Sequence, residues 1–178
     1  MVYLTADQVW LIHVMILLNE ALDRSPEPPS LESLKALIDK DTSRMRPELL
    51  DSAVFVPQQP YYSNFWQRAA ALLRSLVKNH AFFDGNKRTA LIALEVFLDL
   101  NGYTLVATQK HKVRFTIGVA RGSRLWSIES WLRNYARSVQ GGKQKAAGRL
   151  QRWSALIDDL GLRRPFASSR EEDSQDTE

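Results

Sequence analysis

Apolar residues recur every three to four positions through most of this 178-residue chain, the spacing of one helical face. The first such stripe has a marked start. Thr5 and Gln8 have the spacing of a capping box, and Leu4 and Val9 that of a hydrophobic staple. Val9, Ile12, Ile16 and Leu22 follow on or near one face, until Ser25-Pro26 and Pro28-Pro29 break it. Ser30 is placed to cap a second helix carrying Leu31, Leu34, Leu37 and Ile38. Pro47 suits the first turn of a short third helix. Ser63 is placed to cap a longer one, with Ala69, Leu72, Leu73, Leu76 and Val77 inward, running out at Asn79-His80. The next stripe, Ala90, Leu91, Leu94, Phe97 and Leu98, stops at Asn101-Gly102. Two more helices are expected near Lys110–Val119 and from Ser127 to about Val139, the latter with Ile128, Trp131, Leu132 and Tyr135 on one side.

One segment departs from this period. In Ala53–Tyr62, Val54, Phe55 and Val56 favour strand, and Pro57 and Pro60 flank Gln58-Gln59. This pattern predicts a short extended or hairpin-like flap. Gly141-Gly142-Lys143 reads as a linker, followed by an amphipathic helix bearing Leu150, Trp153, Ile157 and Leu160 and stopped by Gly161. Ser168–Glu178 is acidic, Ser-containing and free of apolar residues, a composition that cannot build a core. The expected class is all-α: a helical bundle with a small β-hairpin flap over residues 1–140, a linker and amphipathic helix over 141–167, and a disordered acidic tail over 168–178.

Composition narrows the chemistry. With no cysteine, disulfides and thiolate metal or nucleophile sites are excluded. The apolar run Val9–Leu18 is too short to span a bilayer and contains His13, and the N-terminus has no signal-like pattern, so a cytoplasmic protein is expected. The net charge of +4 is compatible with nucleotide, nucleic-acid or acidic-partner binding and chooses none.

The densest chemistry lies in His80–Arg88, HAFFDGNKR, between two helical stripes. A loop feeding a helix N-terminus presents unpaired backbone N–H groups and the positive end of the helix dipole, a natural phosphate site. Gly85 permits strained dihedrals or close approach of a ligand. Asn86 offers an amide donor, Arg88 a planar charged fork and Lys87 a point charge. Asp84 is the one carboxylate among these cations and suits Mg²⁺, which takes few protein carboxylates plus substrate phosphates. His80 belongs to the residue type that titrates near neutral pH, fitting a general base for a hydroxyl. Of Phe82 and Phe83, one is expected to anchor the loop in the core.

HAFFDGNKR resembles the signature of the Fic/Doc (Fido) superfamily, H-x-F-x-D/E-G/A-N-G/K-R, at all seven specified positions. The flanking AAALLRSLVKNH, TALIALEVFLDLNGY and SIESWLRNYAR are similar to the Doc (death-on-curing) branch, and the resemblance extends over about residues 3–138. It implies transfer of part of ATP to a protein hydroxyl. His80 would be the base, Asp84 the Mg²⁺ ligand, Gly85, Asn86 and Arg88 the phosphate cradle, and Phe82 the buried anchor. The flap, with Val54, Phe55 and Val56, would align the target by adding a strand edge. Lys87 is the Doc-type choice where AMP-transferring members carry Gly. A Lys in the anion pocket can reverse the lie of ATP and present its γ-phosphate. The implied protein is thus a toxin of a toxin–antitoxin system that phosphorylates a Ser or Thr of a translation factor such as elongation factor Tu, restrained by a small antitoxin in trans. Gly85, where Doc has Ala, and Ala81, where AMP-transferring members usually have Pro, are departures, and AMP transfer is the alternative.

Two further readings stand beside it. Lys110, Lys112, Arg114, Arg121 and Arg124 raise a non-catalytic nucleic-acid or protein-binding module, but without interleaved aromatics nucleic acid is not expected as a direct ligand. Many family members also carry an inhibitory S/T-x-x-x-E-G/N motif. Ser168 and Glu172 have its spacing, but Asp173 follows, so control in trans is expected.

Overall fold

The computed structural model describes residues 1–24, 27–162 and 164–166. The predicted breaks at Ser25-Pro26 and the tail Ser168–Glu178 therefore fall wholly or partly outside the described residues. The elements in order are α1 (Ala6–Arg24), α2 (Leu31–Thr42), α3 (Pro47–Phe55), a 3-10 turn (Val56–Gln58), α4 (Phe65–Asn79), α5 (Asn86–Leu100), β1 (Tyr103–Leu105), α6 (Gln109–Arg121), α7 (Leu125–Tyr135), β2 (Ala136–Ser138) and α8 (Gly142–Asp159). The architecture is all-α, as the periodicity requires. α5 lies at its centre, packed on α4, α1, α8 and α6, with Ala90, Ala93, Leu94, Val96, Phe97 and Leu98 fully enclosed.

Local chemistry explains the helix ends. Thr5 N–H donates to Gln8 Oε1 at 3.1 Å and Gln8 N–H to Thr5 Oγ1 at 3.2 Å, the capping box predicted for α1. Ser30 caps α2 by accepting from Ser33 N–H at 3.2 Å. At α4 the cap is Asn64, not Ser63: Asn64 Oδ1 accepts from Gln67 N–H at 3.0 Å. Ser63 instead donates its N–H and hydroxyl to Gln67 Oε1. The amide oxygen one residue on reaches the free N–H first.

The flap is corrected. Val54 and Phe55 close α3, and Val56 opens the 3-10 turn, so Ala53–Tyr62 has no extended edge. Leu50, Ala53 and Val54, at i, i+3 and i+4, all point into the core. That helical period outweighs the strand preference of two β-branched residues. The β element lies elsewhere. β1 pairs antiparallel with β2, Tyr103 opposite Ser138, Thr104 opposite Arg137 and Leu105 opposite Ala136. Consequently α7 stops at Tyr135, short of the expected Val139. Gly141 and Gly142 are not a slack linker: Gly141 is the N-cap of α8, and Gly142 is its first, buried residue. α8 packs on α5 and α1, with Ala146, Leu150 and Ile157 buried.

Candidate active site

α4 delivers His80 and α5 delivers the amides. α4 ends at Asn79, and His80 caps it in the left-handed region at φ 50°, ψ 47°, the one positive φ outside glycine among the described residues. Such a conformation strains a side-chain-bearing residue and persists where its surroundings hold it. Here Arg46, just before α3, donates Nη2 to the His80 carbonyl at 3.0 Å and its backbone N–H to the Ala81 carbonyl at 2.8 Å. Asn79 Nδ2 donates to the Leu49 carbonyl at 3.0 Å, fixing the end of α4 to α3.

The loop then turns on two residues. Phe82 is 4% exposed and is the anchor, its ring stacked on that of His13 with centroids 3.8 Å apart. Phe83 faces outward, 62% exposed, with the Arg44 guanidinium carbon 3.3 Å above its ring. Gly85 takes φ 77° as N-cap of α5, a conformation open to glycine. Thr89 N–H to Gly85 O, at 2.9 Å, closes the first turn of α5. The N–H groups of Asn86, Lys87 and Arg88 come before it and have no place in the helical ladder.

The Asn86 side chain also braces the loop. Its Oδ1 accepts from Phe82 N–H at 3.0 Å and its Nδ2 donates to the Phe82 carbonyl at 2.7 Å. These bonds use Oδ1 and one of the two Nδ2 hydrogens, so Asn86 closes the loop and keeps a side-chain donor beside its backbone N–H for an anion. Asp84 Oδ1 accepts from Gly85 N–H at 2.6 Å.

These groups share one cavity of about 410 Å³. His80 and residues 83–88 line one side. Leu91 of α5 with Val113, Thr116 and Ile117 of α6 forms a largely apolar side that the sequence reading missed. α6 shows only an ordinary amphipathic stripe, and nothing local marks these three as facing a ligand. Val54, Phe55 and Val56 do not line this cavity.

Two other groups from α1 reach the loop without having been foreseen. Arg88 forms an ion pair with Glu20, which also accepts from Arg24 Nη2 at 3.1 Å. His13 lies under the loop. The seven-residue separation of His13 and Glu20, two helical turns, is the one sequence signal that they share a face. Ser168 and Glu172 lie outside the described residues. Lys112, from the dispersed basic set, pairs with Glu95 at 2.6 Å.

No cluster of three potential metal-ligating side chains occurs among the described residues. The described residues thus build no metal cage of their own. One exposed carboxylate, Asp84, beside unpaired amides and cations, is a donor set that would suit Mg²⁺ if phosphate oxygens and water supplied the rest of its ligands. No helix among the described residues is long and apolar enough to cross a membrane.

The sequence profile of the Fic/DOC family matches residues 3–98, spanning the loop and the helices on both sides of it. A protein from Mycolicibacterium smegmatis, Toxin Doc, is 40% identical over 102 residues, an alignment covering 53% of this chain and 78% of that protein.

Proposed function

This chain belongs to the Fic/DOC family, and on that premise we propose that it is a toxin of a toxin–antitoxin pair that transfers phosphate from ATP to a Ser or Thr hydroxyl of a protein target. The observation that carries this reading is the convergence of His80, the N-terminal amides of α5, Asp84 and Lys87 on one cavity with an apolar far wall. The amides and Arg88 suit the phosphates, and the side formed by Leu91, Val113 and Ile117 suits the face of a purine. Arg88 must exchange Glu20 for phosphate oxygens as ATP enters.

His80 takes the proton of the target hydroxyl. The hydroxyl oxygen bonds to the γ-phosphorus as the bond from that phosphorus to the β–γ bridging oxygen breaks, and ADP leaves with that electron pair. Asp84 would hold Mg²⁺, which when bound supplies positive charge against the phosphate oxygens. Lys87 favours γ-phosphate transfer by adding charge and volume where AMP-transferring relatives have glycine. Gly85 is accounted for by its φ of 77° and by a methyl group there standing 3.2 Å from His13 Cε1. Its identity therefore reflects the backbone and the ring beneath it, and it weighs little towards AMP transfer.

A translation factor such as elongation factor Tu is the proposed target, and a small antitoxin acting in trans the proposed restraint. The support is the likeness to Toxin Doc, together with the absence of an S/T-x-x-x-E-G/N motif in α1–α8. The test is to incubate the protein with host lysate and ATP labelled at either the α- or the γ-phosphate. Label entering protein from γ-labelled ATP and lost in His80→Ala is the expected result. Label entering only from α-labelled ATP would make the chain an AMP transferase, and toxicity unchanged in His80→Ala would remove His80 from the chemistry.

A further inference from the structure

His13 is 1% exposed, yet both its ring nitrogens are engaged by polar groups from other helices. Nε2 stands 2.8 Å from Asp41 Oδ2, in the last turn of α2. Nδ1 stands 2.8 Å from Thr89 Oγ1, in the first turn of α5. An ionised carboxylate only accepts, so Nε2 carries a hydrogen and donates it to Asp41. In the neutral ring Nδ1 then accepts the Thr89 hydroxyl hydrogen. The result is an Asp–His–Thr chain in which His13 and Thr89 are buried and Asp41 lies partly exposed at its outer end. Thr89 is 1% exposed and outside the cavity, so it is no nucleophile.

The same ring touches the loop at two more points. It stacks on Phe82, and its Cε1 would stand 3.2 Å from a methyl group at Gly85. Phe82, Gly85 and Thr89 are thus all referenced to one side chain that is itself fixed from α2. A buried imidazole that loses a hydrogen-bond partner is costly, so its satisfaction selects one loop conformation. From this geometry we propose that His13 is a positioning residue: the Asp41–His13–Thr89 chain holds the loop so that His80 and the α5 amides face the same cavity. The proposal rests on the phosphoryl-transfer reading for its kinetic arm alone.

His13→Ala would leave a cavity beneath the loop and can fail to fold, so the decisive variants are Thr89→Val and Thr89→Ser. Valine keeps the volume and removes the hydroxyl; serine keeps the hydroxyl. Two quantities are read in each folded variant: amide hydrogen exchange of the hydrogen-bonded loop amides of Phe82 and Gly85 against residues 69–77 of α4, and kcat for transfer from γ-labelled ATP. In Thr89→Val, loop exchange rises about tenfold or more relative to α4 and kcat falls about tenfold, the scale set by one broken buried hydrogen bond. Thr89→Ser stays within about twofold of the parent on both, since the hydroxyl that the chain uses is retained. Exchange rising equally in loop and α4, or both quantities unchanged in Thr89→Val, would reduce His13 to a core residue and overturn the proposal. If the parent protein transfers neither phosphate nor AMP while the loop-specific exchange appears as expected, the positioning role stands and the proposed activity falls.

Discussion

Gly85 and Gly141 form a matched pair at the scale of single residues. Both are N-caps in the left-handed region, at φ 77° and 75° with ψ near 0°. A methyl group at Gly141 meets nothing within 4 Å, whereas at Gly85 it meets the His13 ring. Alanine at Gly141 therefore carries the conformational cost alone, about 1–2 kcal/mol. Alanine at Gly85 carries that cost and must also displace a ring that is hydrogen-bonded on both sides and stacked on Phe82. Urea unfolding of the two variants separates the terms: Gly85→Ala is expected to be the less stable by about 1 kcal/mol or more, the scale of overpacking a filled site. It should also lose ATP–Mg²⁺ affinity in calorimetry, which Gly141→Ala should not. Equal losses would show that the ring yields freely and that the tight approach has no energetic weight.

The elements show which sequence signals were reliable. Long stripes such as those of α4 and α5 were legible because burial on one face imposes a 3.6-residue period on ten or more positions. The segment Val54–Val56 misled because three residues of strand-favouring type are too few to establish a period, while Leu50, Ala53 and Val54 already belonged to one. β1 and β2 were not legible as a pair, since each is three residues long and their partners lie more than thirty positions apart. α8 illustrates a third case: its stripe was visible but its destination was not, because a stripe does not say which groove receives it. In the structure Leu150 and Ile157 enter the common core against α1 and α5. Outside the helix, Arg164 reaches Asp7 of α1 at 2.9 Å and Asp158 at 2.8 Å, fastening the end of α8 across α1. Leu150→Ala and Ile157→Ala should each cost about 2–5 kcal/mol, the range for emptying a filled core position. Tryptophan fluorescence and far-UV circular dichroism followed through one urea transition would check this. Losses below about 0.5 kcal/mol, typical of surface sites, would place α8 outside the cooperative core.

Across the whole molecule, the candidate site divides into a contiguous part and an assembled part, and only the first was readable. His80, Asp84 and residues 85–88 lie within nine positions, so their chemistry stood out before any fold was known. Val113 and Ile117 of α6, and His13 and Glu20 of α1, join them only because α5 lies between those helices. Glu20 has the most direct consequence for function. It neutralises Arg88 in the protein without ligand, and the phosphates of ATP would compete with it for the same guanidinium. Arg88 is half exposed in this pair, and ion pairs so accessible to water are worth about 0–1 kcal/mol. Relief of the competition is therefore bounded: Glu20→Gln should tighten ATP–Mg²⁺ binding by up to about fivefold, since 1.4 kcal/mol corresponds to tenfold. Calorimetry at low and at high salt distinguishes the electrostatic origin, because the gain should shrink as salt screens the pair it removes. Weaker binding in Glu20→Gln would mean instead that Glu20, itself braced by Arg24 one turn on, orients the guanidinium for the phosphates. The two outcomes have opposite sign, so one titration decides whether α1 restrains the site or completes it.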